Sequence, residues 1–254
     1  MANALTAFPH MKTLFALNDR TDRTELTHRF AQTGRVQIRD VLTAGSAREL
    51  QSVLKAATPW GMAMQAGAGG TPESIDNATL RTEIGVDRAN SGAAAAERAS
   101  GRGDYGFRFA NFNLVEAMQK GLPSDSPYLI LLEHLNSEPF LDLVREVTGI
   151  PALFKADGQA TLFARGHYLG RHIDSHVSEG WRVAYVLNLA PDDWHPDWGG
   201  YLTFLDEDGD IVEGWKPRFN VLNLFAVPQS HSVTYVPPFA PTGRLAVTGW
   251  FRDR

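Results

Sequence analysis

Two residues in the C-terminal half of the chain have the types and the spacing of metal ligands. His172 and Asp174 are separated by one residue, and residues i and i+2 of a β-strand point to the same face. If this segment is a strand, it aims an imidazole and a carboxylate into one pocket. His231, at the start of a later predicted strand, could supply a third ligand. A histidine–aspartate pair alone has a structural alternative, since such pairs often only share a hydrogen bond.

His176 complicates the assignment because it lies on the same predicted strand, residues 171–176. Alternate side chains on one strand face are about 6.5–7 Å apart, so three ligands from a single strand would be too widely spaced. We therefore expect His172, Asp174 and His231 to be the ligands, and His176 to lie behind them or to face the substrate. Two histidines and one carboxylate leave three coordination positions open, the arrangement used by non-haem Fe(II) oxygenases.

The last predicted strand adds a cation that could bind a carboxylate. Along residues 244–251, Arg, Ala, Thr and Trp alternate with Leu, Val, Gly and Phe. One face of this strand is therefore mixed and the other mainly apolar, which a pocket inside a jelly roll requires. The planar guanidinium of Arg244 can form paired hydrogen bonds with a carboxylate. The alternative is an arginine on an exposed strand edge.

The elements that must position these residues change character along the chain. Asp22 with Glu25, and Ser46 with Glu49, predict helix starts in the first 150 residues, and Val36 and Ile38 predict one strand between them. Eight short strands are predicted after that, at residues 159–165, 171–176, 181–190, 201–205, 211–213, 219–225, 231–236 and 244–251. This spacing favours a sandwich or jelly roll. We predict an α+β fold in which the N-terminal helices pack against the jelly-roll core.

The domain organisation that we predict is a single domain, residues 1–254. Residues 1–150 are its mostly helical part and residues 159–252 its jelly-roll core. Nine of the 23 glycines lie between Gly61 and Gly106, so residues 64–106 are predicted to be a mobile insert with one short helix. Long glycine-rich segments often serve as lids, and the alternative is a surface loop without a role.

Composition excludes several classes of protein. The chain of 254 residues has no cysteine, so disulfides, thiolate zinc sites and cysteine nucleophiles are excluded. Its net charge of −5 argues against broad nucleic-acid binding. No apolar run has the ~18 residues of a membrane helix, and no basic segment precedes an apolar one at the N-terminus. We expect a cytoplasmic protein without nucleic-acid or membrane partners.

The C-terminal half resembles the 2-oxoglutarate- and Fe(II)-dependent oxygenase superfamily, in its prolyl-hydroxylase-like branch. The resemblance covers about residues 166–251 and rests on the two-histidine, one-aspartate pattern followed by Arg244-Leu-Ala-Val-Thr-Gly-Trp-Phe. Supporting stretches are Tyr185-Val-Leu-Asn, Trp194-His-Pro-Asp-Trp-Gly-Gly-Tyr-Leu and Phe225-Ala-Val-Pro-Gln-Ser-His. Val186 stands where related enzymes often have a tyrosine that helps to hold 2-oxoglutarate.

The resemblance implies a set of cofactors and site residues. Fe(II) would be held by His172, Asp174 and His231, and 2-oxoglutarate would pair its distal carboxylate with Arg244. Tyr168 and Thr248 are further candidates for cosubstrate binding, and for Tyr168 an aromatic core position is an equal alternative. Dioxygen is the oxidant, ascorbate is a candidate reductant, and 2-oxoglutarate is decarboxylated to succinate.

The resemblance also implies a reaction class, which leaves the substrate open. A carboxylate at the position of Asp174 favours hydroxylation over halogenation, so we expect a dioxygenase that hydroxylates an unactivated C–H bond. The substrate is either a peptide or protein, as for a prolyl hydroxylase, or a small molecule such as a free amino acid or a natural product. A non-catalytic jelly roll that binds a sugar or another ligand is the alternative from a different class.

Overall fold

The computed structural model describes residues 15–19, 22–174 and 176–254. The described part of the chain contains the helices α1 (Arg23–Thr33), α2 (Ala44–Ala57), α3 (Asn77–Leu80), α4 (Glu83–Gly101), α5 (Leu114–Gln119), α6 (Pro127–Leu135) and α7 (Glu138–Thr148). Its first strands are β1 (Arg35–Arg39), β2 (Gly61–Ala66), β3 (Glu73–Ile75), β4 (Gly106–Asn113), β5 (Lys155–Ala156), β6 (Gln159–Phe163) and β7 (Tyr168–Ile173). The remaining strands are β8 (Trp181–Leu189), β9 (Leu202–Leu205), β10 (Ile211–Trp215), β11 (Phe219–Ala226), β12 (Ser230–Val233) and β13 (Arg244–Arg252).

These thirteen strands form one curled antiparallel sheet. The strand order is β1-β11-β8-β13-β6-β4-β7-β12-β9-β10, with β2 and β3 attached beside β4 and β5 attached beside β13. Because the sheet curls, β7, β12 and β9 come to face β8, β13 and β6 across an interior. This is the double-stranded β-helix, or jelly-roll, architecture with helices outside it, and it confirms the predicted fold class.

Two hydrophobic clusters occupy the two faces of the sheet. The outer cluster joins α2, α6 and α7 to β8, β11 and β13, and it includes Val247 and Phe251 of the last strand. The inner cluster fills part of the interior and includes Ala246 of that strand, with Trp250 packed against it. The alternation predicted for residues 244–251 is therefore confirmed, because successive side chains of β13 reach opposite faces.

The eight predicted strands of the C-terminal half are all present, with different limits. The strand predicted over residues 171–176 is instead β7, Tyr168–Ile173, so Asp174 follows the strand and His176 begins a 3₁₀ turn. The prediction that His176 shares one strand face with the ligands is therefore wrong. The second helix start is also earlier than predicted, because the Thr43 side chain, which accepts a hydrogen bond from the Ser46 N–H, caps α2.

Residues 64–106 contain more regular structure than the one short helix that the sequence predicts for them. The segment contains the second half of β2, then β3, α3 and the 19-residue helix α4. Its glycines permit close packing: a Cβ on Gly92 would lie 2.1 Å from the Met64 sulfur, and one on Gly85 would lie 1.9 Å from the Thr79 carbonyl oxygen. Glycine density signalled close contacts between elements here, which sequence alone does not distinguish from flexibility.

No helix of the described residues combines the length and the apolar character that crossing a membrane requires.

Candidate metal centre and its cavity

Strand pairing brings the two predicted histidine ligands together. β7 pairs with β12 so that His172 and His231 are direct cross-strand partners, and their ring centroids are 4.1 Å apart. Asp174 follows the end of β7, and one ligand atom from each of the three residues lies within 4.8 Å of the others. The Nε2 atoms of His172 and His231 are 3.5 Å and 3.8 Å from the carboxylate oxygens of Asp174. Two imidazoles and a carboxylate thus converge on one point.

Backbone carbonyls determine which imidazole nitrogen can bind a metal. The Nδ1 atom of His172 is 3.0 Å from the Gly170 oxygen, and the Nδ1 atom of His231 is 2.9 Å from the Gln229 oxygen. A carbonyl only accepts hydrogen bonds, so we assign the proton of each neutral ring to Nδ1. The Nε2 lone pairs then remain free and point toward Asp174, which is the orientation usual for histidine ligands.

The protonation states suit a divalent cation. Burial and the neighbouring His172 lower the pKa of His231 to about 4, so this imidazole is neutral at pH 7. Burial by itself would raise the pKa of Asp174, but its contacts with the two histidines and the hydrogen bond from the Trp250 indole outweigh burial, and its pKa is lowered. A carboxylate anion and neutral imidazoles are the forms that bind metals.

The Asp174 carboxylate is also held from the other side. The Trp250 indole Nε1 donates a hydrogen bond to Asp174 Oδ2 at 2.9 Å. The Trp250 ring stacks on Trp181 with centroids 3.8 Å apart, and the Trp250 backbone N–H donates to Asp157 Oδ1 at 2.8 Å. Asp157 in turn pairs with the guanidinium of Arg252. These contacts restrict the rotation of the carboxylate, as outer partners of metal ligands commonly do.

The three residues border a cavity of about 600 Å³ inside the curled sheet, and Arg244 lies in its wall. The Arg244 side chain is 2% exposed, and its Nε donates to Asn188 Oδ1 at 3.2 Å. Among the described residues its Nη1 has no hydrogen-bond partner. Burial lowers the pKa of Arg244 to about 10, so it remains charged at pH 7. A buried cation with an unsatisfied donor is suited to bind an anionic group that enters the cavity.

The other two residues expected to bind the cosubstrate differ in placement. Thr248 lines the cavity, two residues from Trp250 on β13. Tyr168 does not line it: its hydroxyl hydrogen-bonds to the Ser100 hydroxyl of α4 at 2.8 Å, on the far side of β7. The prediction for Tyr168 is thus not supported. The register of β7 against β12 shifts between Leu169 and His172, so Leu169 and His172 both face the cavity and Tyr168 does not. The His176 side chain lies outside the described residues.

Sequence patterns missed several residues of this site. Gln65 of β2 and Tyr105, which precedes β4, both line the cavity, within the segment expected to be a mobile insert. Asn188 and Trp181 of β8 contact Arg244 and Trp250 respectively. Val186 lines the cavity without a hydroxyl, as the sequence indicated. No local signal marks these residues, because they reach the site only through pairing of distant strands.

Comparison with known proteins agrees with this geometry. Residues 158–252 match the family model described as the 2OG-Fe(II) oxygenase superfamily, and this segment contains all three candidate ligands and Arg244. The fold and the site agree with this match over the C-terminal part of the chain, which confirms the resemblance predicted from the sequence. Enzymes of this superfamily are oxidoreductases that use Fe(II) and 2-oxoglutarate, and the three residues could bind the iron. No curated protein matches the chain.

Solved structures show the same fold at low sequence identity. An oxidoreductase of the 2OG-Fe(II) oxygenase family from Burkholderia pseudomallei is 13% identical with a TM-score of 0.60, and the match covers 94% of both chains. A prolyl-4-hydroxylase from Pseudomonas putida is 19% identical with a TM-score of 0.55, covering 91% of this chain and 98% of that one. A Trichoplax adhaerens prolyl hydroxylase, in complex with a peptide fragment, is 17% identical with a TM-score of 0.57, covering 91% and 89%.

Proposed function

We propose that this chain is a 2-oxoglutarate- and Fe(II)-dependent dioxygenase that hydroxylates an unactivated C–H bond. The observation that carries the proposal is the buried Arg244 with its unsatisfied Nη1, which lies in the same cavity as the two histidines and the aspartate. 2-Oxoglutarate has two carboxylates, so one end can pair with this cation while the other end reaches a metal. A jelly roll that binds an uncharged ligand would leave the buried cation without a counter-ion.

The residues of the site take distinct roles in the proposed reaction. His172 and His231 bind Fe(II) through Nε2, and Asp174 binds it through a carboxylate oxygen. When bound, iron and 2-oxoglutarate reduce dioxygen, and the products are succinate, carbon dioxide and the hydroxylated substrate. Trp250 holds the Asp174 carboxylate in orientation through its indole N–H.

The cosubstrate is bound and shielded by the opposite wall of the cavity. Arg244 pairs with the distal carboxylate, and Asn188 fixes the guanidinium by accepting from its Nε. Phe163, Val186 and Phe225 belong to the inner hydrophobic cluster and exclude water from this end. In such an environment a paired guanidinium and carboxylate attract each other more strongly than they would in water.

The substrate is a peptide or protein in the first alternative and a small molecule in the second. The peptide alternative is supported by the likeness to a prolyl hydroxylase solved with a peptide fragment. A cavity of about 600 Å³ suits the small molecule. We also propose that residues 1–254 form one domain. The cytoplasmic location and ascorbate as the reductant stay predictions from the sequence.

The test measures succinate by NMR after the purified chain is incubated with Fe(II), 2-oxoglutarate, dioxygen and candidate substrates of both classes, since the oxidised C–H bond supplies two of the four electrons that dioxygen takes up. Alanine at position 172, 174 or 231 should abolish succinate formation, with the fold preserved by circular dichroism. A matched control is the exposed pair His195 and Asp197, which has the same spacing outside the cavity and should tolerate alanine.

The outcome that contradicts the proposal is equally specific. Wild-type protein that binds no Fe(II) and converts no 2-oxoglutarate would indicate a non-catalytic ligand-binding jelly roll. Unfolding of all three alanine variants would indicate that the triad has a structural role.

A further inference from the structure

Two polar side chains in the cavity wall have no role in the proposed mechanism. Gln65 lies on β2 opposite Phe107 of β4, and the Gly67 N–H donates to the Tyr105 carbonyl at 2.7 Å, which extends the same pairing. Cross-strand partners share a face of the sheet. Gln65, Phe107 and Tyr105 accordingly all line the cavity, on the same side as His172.

Gln65 presents a hydrogen-bond acceptor. Its side chain is 9% exposed, and its Nε2 donates to the Gly67 and Gly70 carbonyl oxygens at 3.0 Å and 2.8 Å. These two bonds use both amide protons, so the amide cannot be reversed without losing them. The Oε1 atom receives no hydrogen bond from any donor in the described part of the chain. It is therefore open to a donor from a ligand in the cavity.

Tyr105 presents a hydrogen-bond donor. Its phenol hydroxyl is protonated at neutral pH and can donate a hydrogen bond into the cavity that it lines. Its ring centroid is 6.0 Å from that of His172, which places it beside the metal ligands. Its hydroxyl makes no hydrogen bond with any residue that the structure describes.

The charges of the cavity restrict which group these two atoms can bind. Its described lining contains the triad and Arg244, and no other aspartate, glutamate, lysine or arginine. With these four committed to the metal and to 2-oxoglutarate, the ammonium and carboxylate of a free amino acid would enter without counter-ions, which is unfavourable. An amide has one N–H donor and one carbonyl acceptor and is uncharged.

We propose that Gln65 Oε1 and the Tyr105 hydroxyl form a substrate subsite that binds an amide group, the Gln65 oxygen accepting from its N–H and the Tyr105 hydroxyl donating to its carbonyl. The inference rests on the proposed function, because the amide is thereby placed beside the reacting metal. It selects substrates whose amine and carboxyl groups are in amide linkage. Either a peptide or a small molecule that carries an amide fits this chemistry.

The experiment measures binding without turnover, by saturation-transfer NMR on the full chain loaded with Zn(II) and 2-oxoglutarate. The probes are N-acetylleucinamide, N-acetylphenylalaninamide and N-acetylprolinamide, each paired with its free amino acid. We expect the blocked compounds to bind and the free amino acids not to bind. Blocked pentapeptides with the same central residues distinguish a peptide substrate from a small amide. Tighter binding of the pentapeptides than of the blocked single amino acids indicates a peptide substrate, and equal binding indicates a small amide.

Variants connect the binding to the two residues. Tyr105→Phe keeps the ring and should weaken probe binding about 3- to 10-fold, the loss expected for one neutral hydrogen bond. Gln65→Met keeps the length of the side chain but removes the acceptor, and it should weaken probe binding by a similar factor. Tyr235→Phe is the matched control, since Tyr235 is 46% exposed and lies outside the cavity.

Three results would overturn the inference. They are equal binding of free and blocked amino acids, no binding of any amide probe, and unchanged affinity in Tyr105→Phe. Failure of the proposed function is separate, because it is read from succinate formation by the Fe(II)-loaded wild type. Protein that binds amides yet converts no 2-oxoglutarate would keep the subsite and refute the dioxygenase.

Discussion

Replacing Trp250 by phenylalanine should weaken metal binding while leaving the fold intact. The substitution keeps an aromatic ring against Trp181 and removes the indole N–H that donates to Asp174 Oδ2 at 2.9 Å. A hydrogen bond to a charged group contributes about 1.5–3 kcal/mol, and the Asp174 side chain is only 10% exposed, so water replaces the donor poorly. In the variant, metal binding must immobilise the Asp174 carboxylate, which the Trp250 indole already holds in the wild-type protein. We expect the affinity to fall about 10- to 100-fold.

The assay is a competition titration of Co(II) between the apoprotein and a fluorescent chelator. Trp215→Phe is the matched control, because the Trp215 indole also donates to a carboxylate, Glu213 at 2.7 Å, in a 5% exposed position away from the ligands. Equal Co(II) affinity in Trp250→Phe and wild type would refute the reasoning. An equal loss in both tryptophan variants would show that the effect is general destabilisation of the sheet.

Three further predictions follow from the contacts of the cavity wall and the packing around it. Arg244→Leu should raise the dissociation constant for 2-oxoglutarate, measured by calorimetry, at least about 30-fold, since one partner of a buried charge pair is lost. Asn188→Leu should raise the same constant about 3- to 10-fold. Unchanged affinity in both variants would exclude Arg244 and Asn188 as the binding site of the 2-oxoglutarate carboxylate. Gly249→Ala should lower the thermal unfolding temperature, because its Cβ would lie 2.4 Å from a backbone oxygen, whereas Gly45→Ala, with no atom within 4 Å, should not. Hydrogen exchange over Glu83–Gly101 should be slow without substrate, since these residues form a continuous helix. Fast exchange that becomes slow only when substrate binds would instead support the hypothesis that this segment is a lid.

The protein's site depends on the far N-terminal strands as much as on the family-matched segment. The match covers residues 158–252, and this part supplies the candidate metal ligands and the arginine. β2 and β4 add Gln65 and the aromatic wall through pairing of β4 with β6 and β7. The matched segment therefore accounts for the shared chemistry, and we expect the N-terminal strands to account for substrate choice.

The sequence by itself determined the candidate metal site and the architecture around it. His172 and Asp174 converge because they lie two positions apart on and just beyond a strand, a local geometry that spacing encodes. The alternation along Arg244–Arg252 likewise fixed which face of the last strand meets the cavity. Metal ligands are confined to few residue types, so their pattern could be recognised without knowing the fold.

Only the tertiary structure decided the rest of the site. Gln65, Tyr105 and Asn188 reach the cavity through pairing between strands that are far apart in sequence, and no local period encodes such pairing. The glycines of residues 64–106 were ambiguous for a related reason, since a missing side chain serves equally for flexibility and for close contact. Gly92 lies against Met64 because α4 packs on β2, and that contact exists only once the sheet has formed.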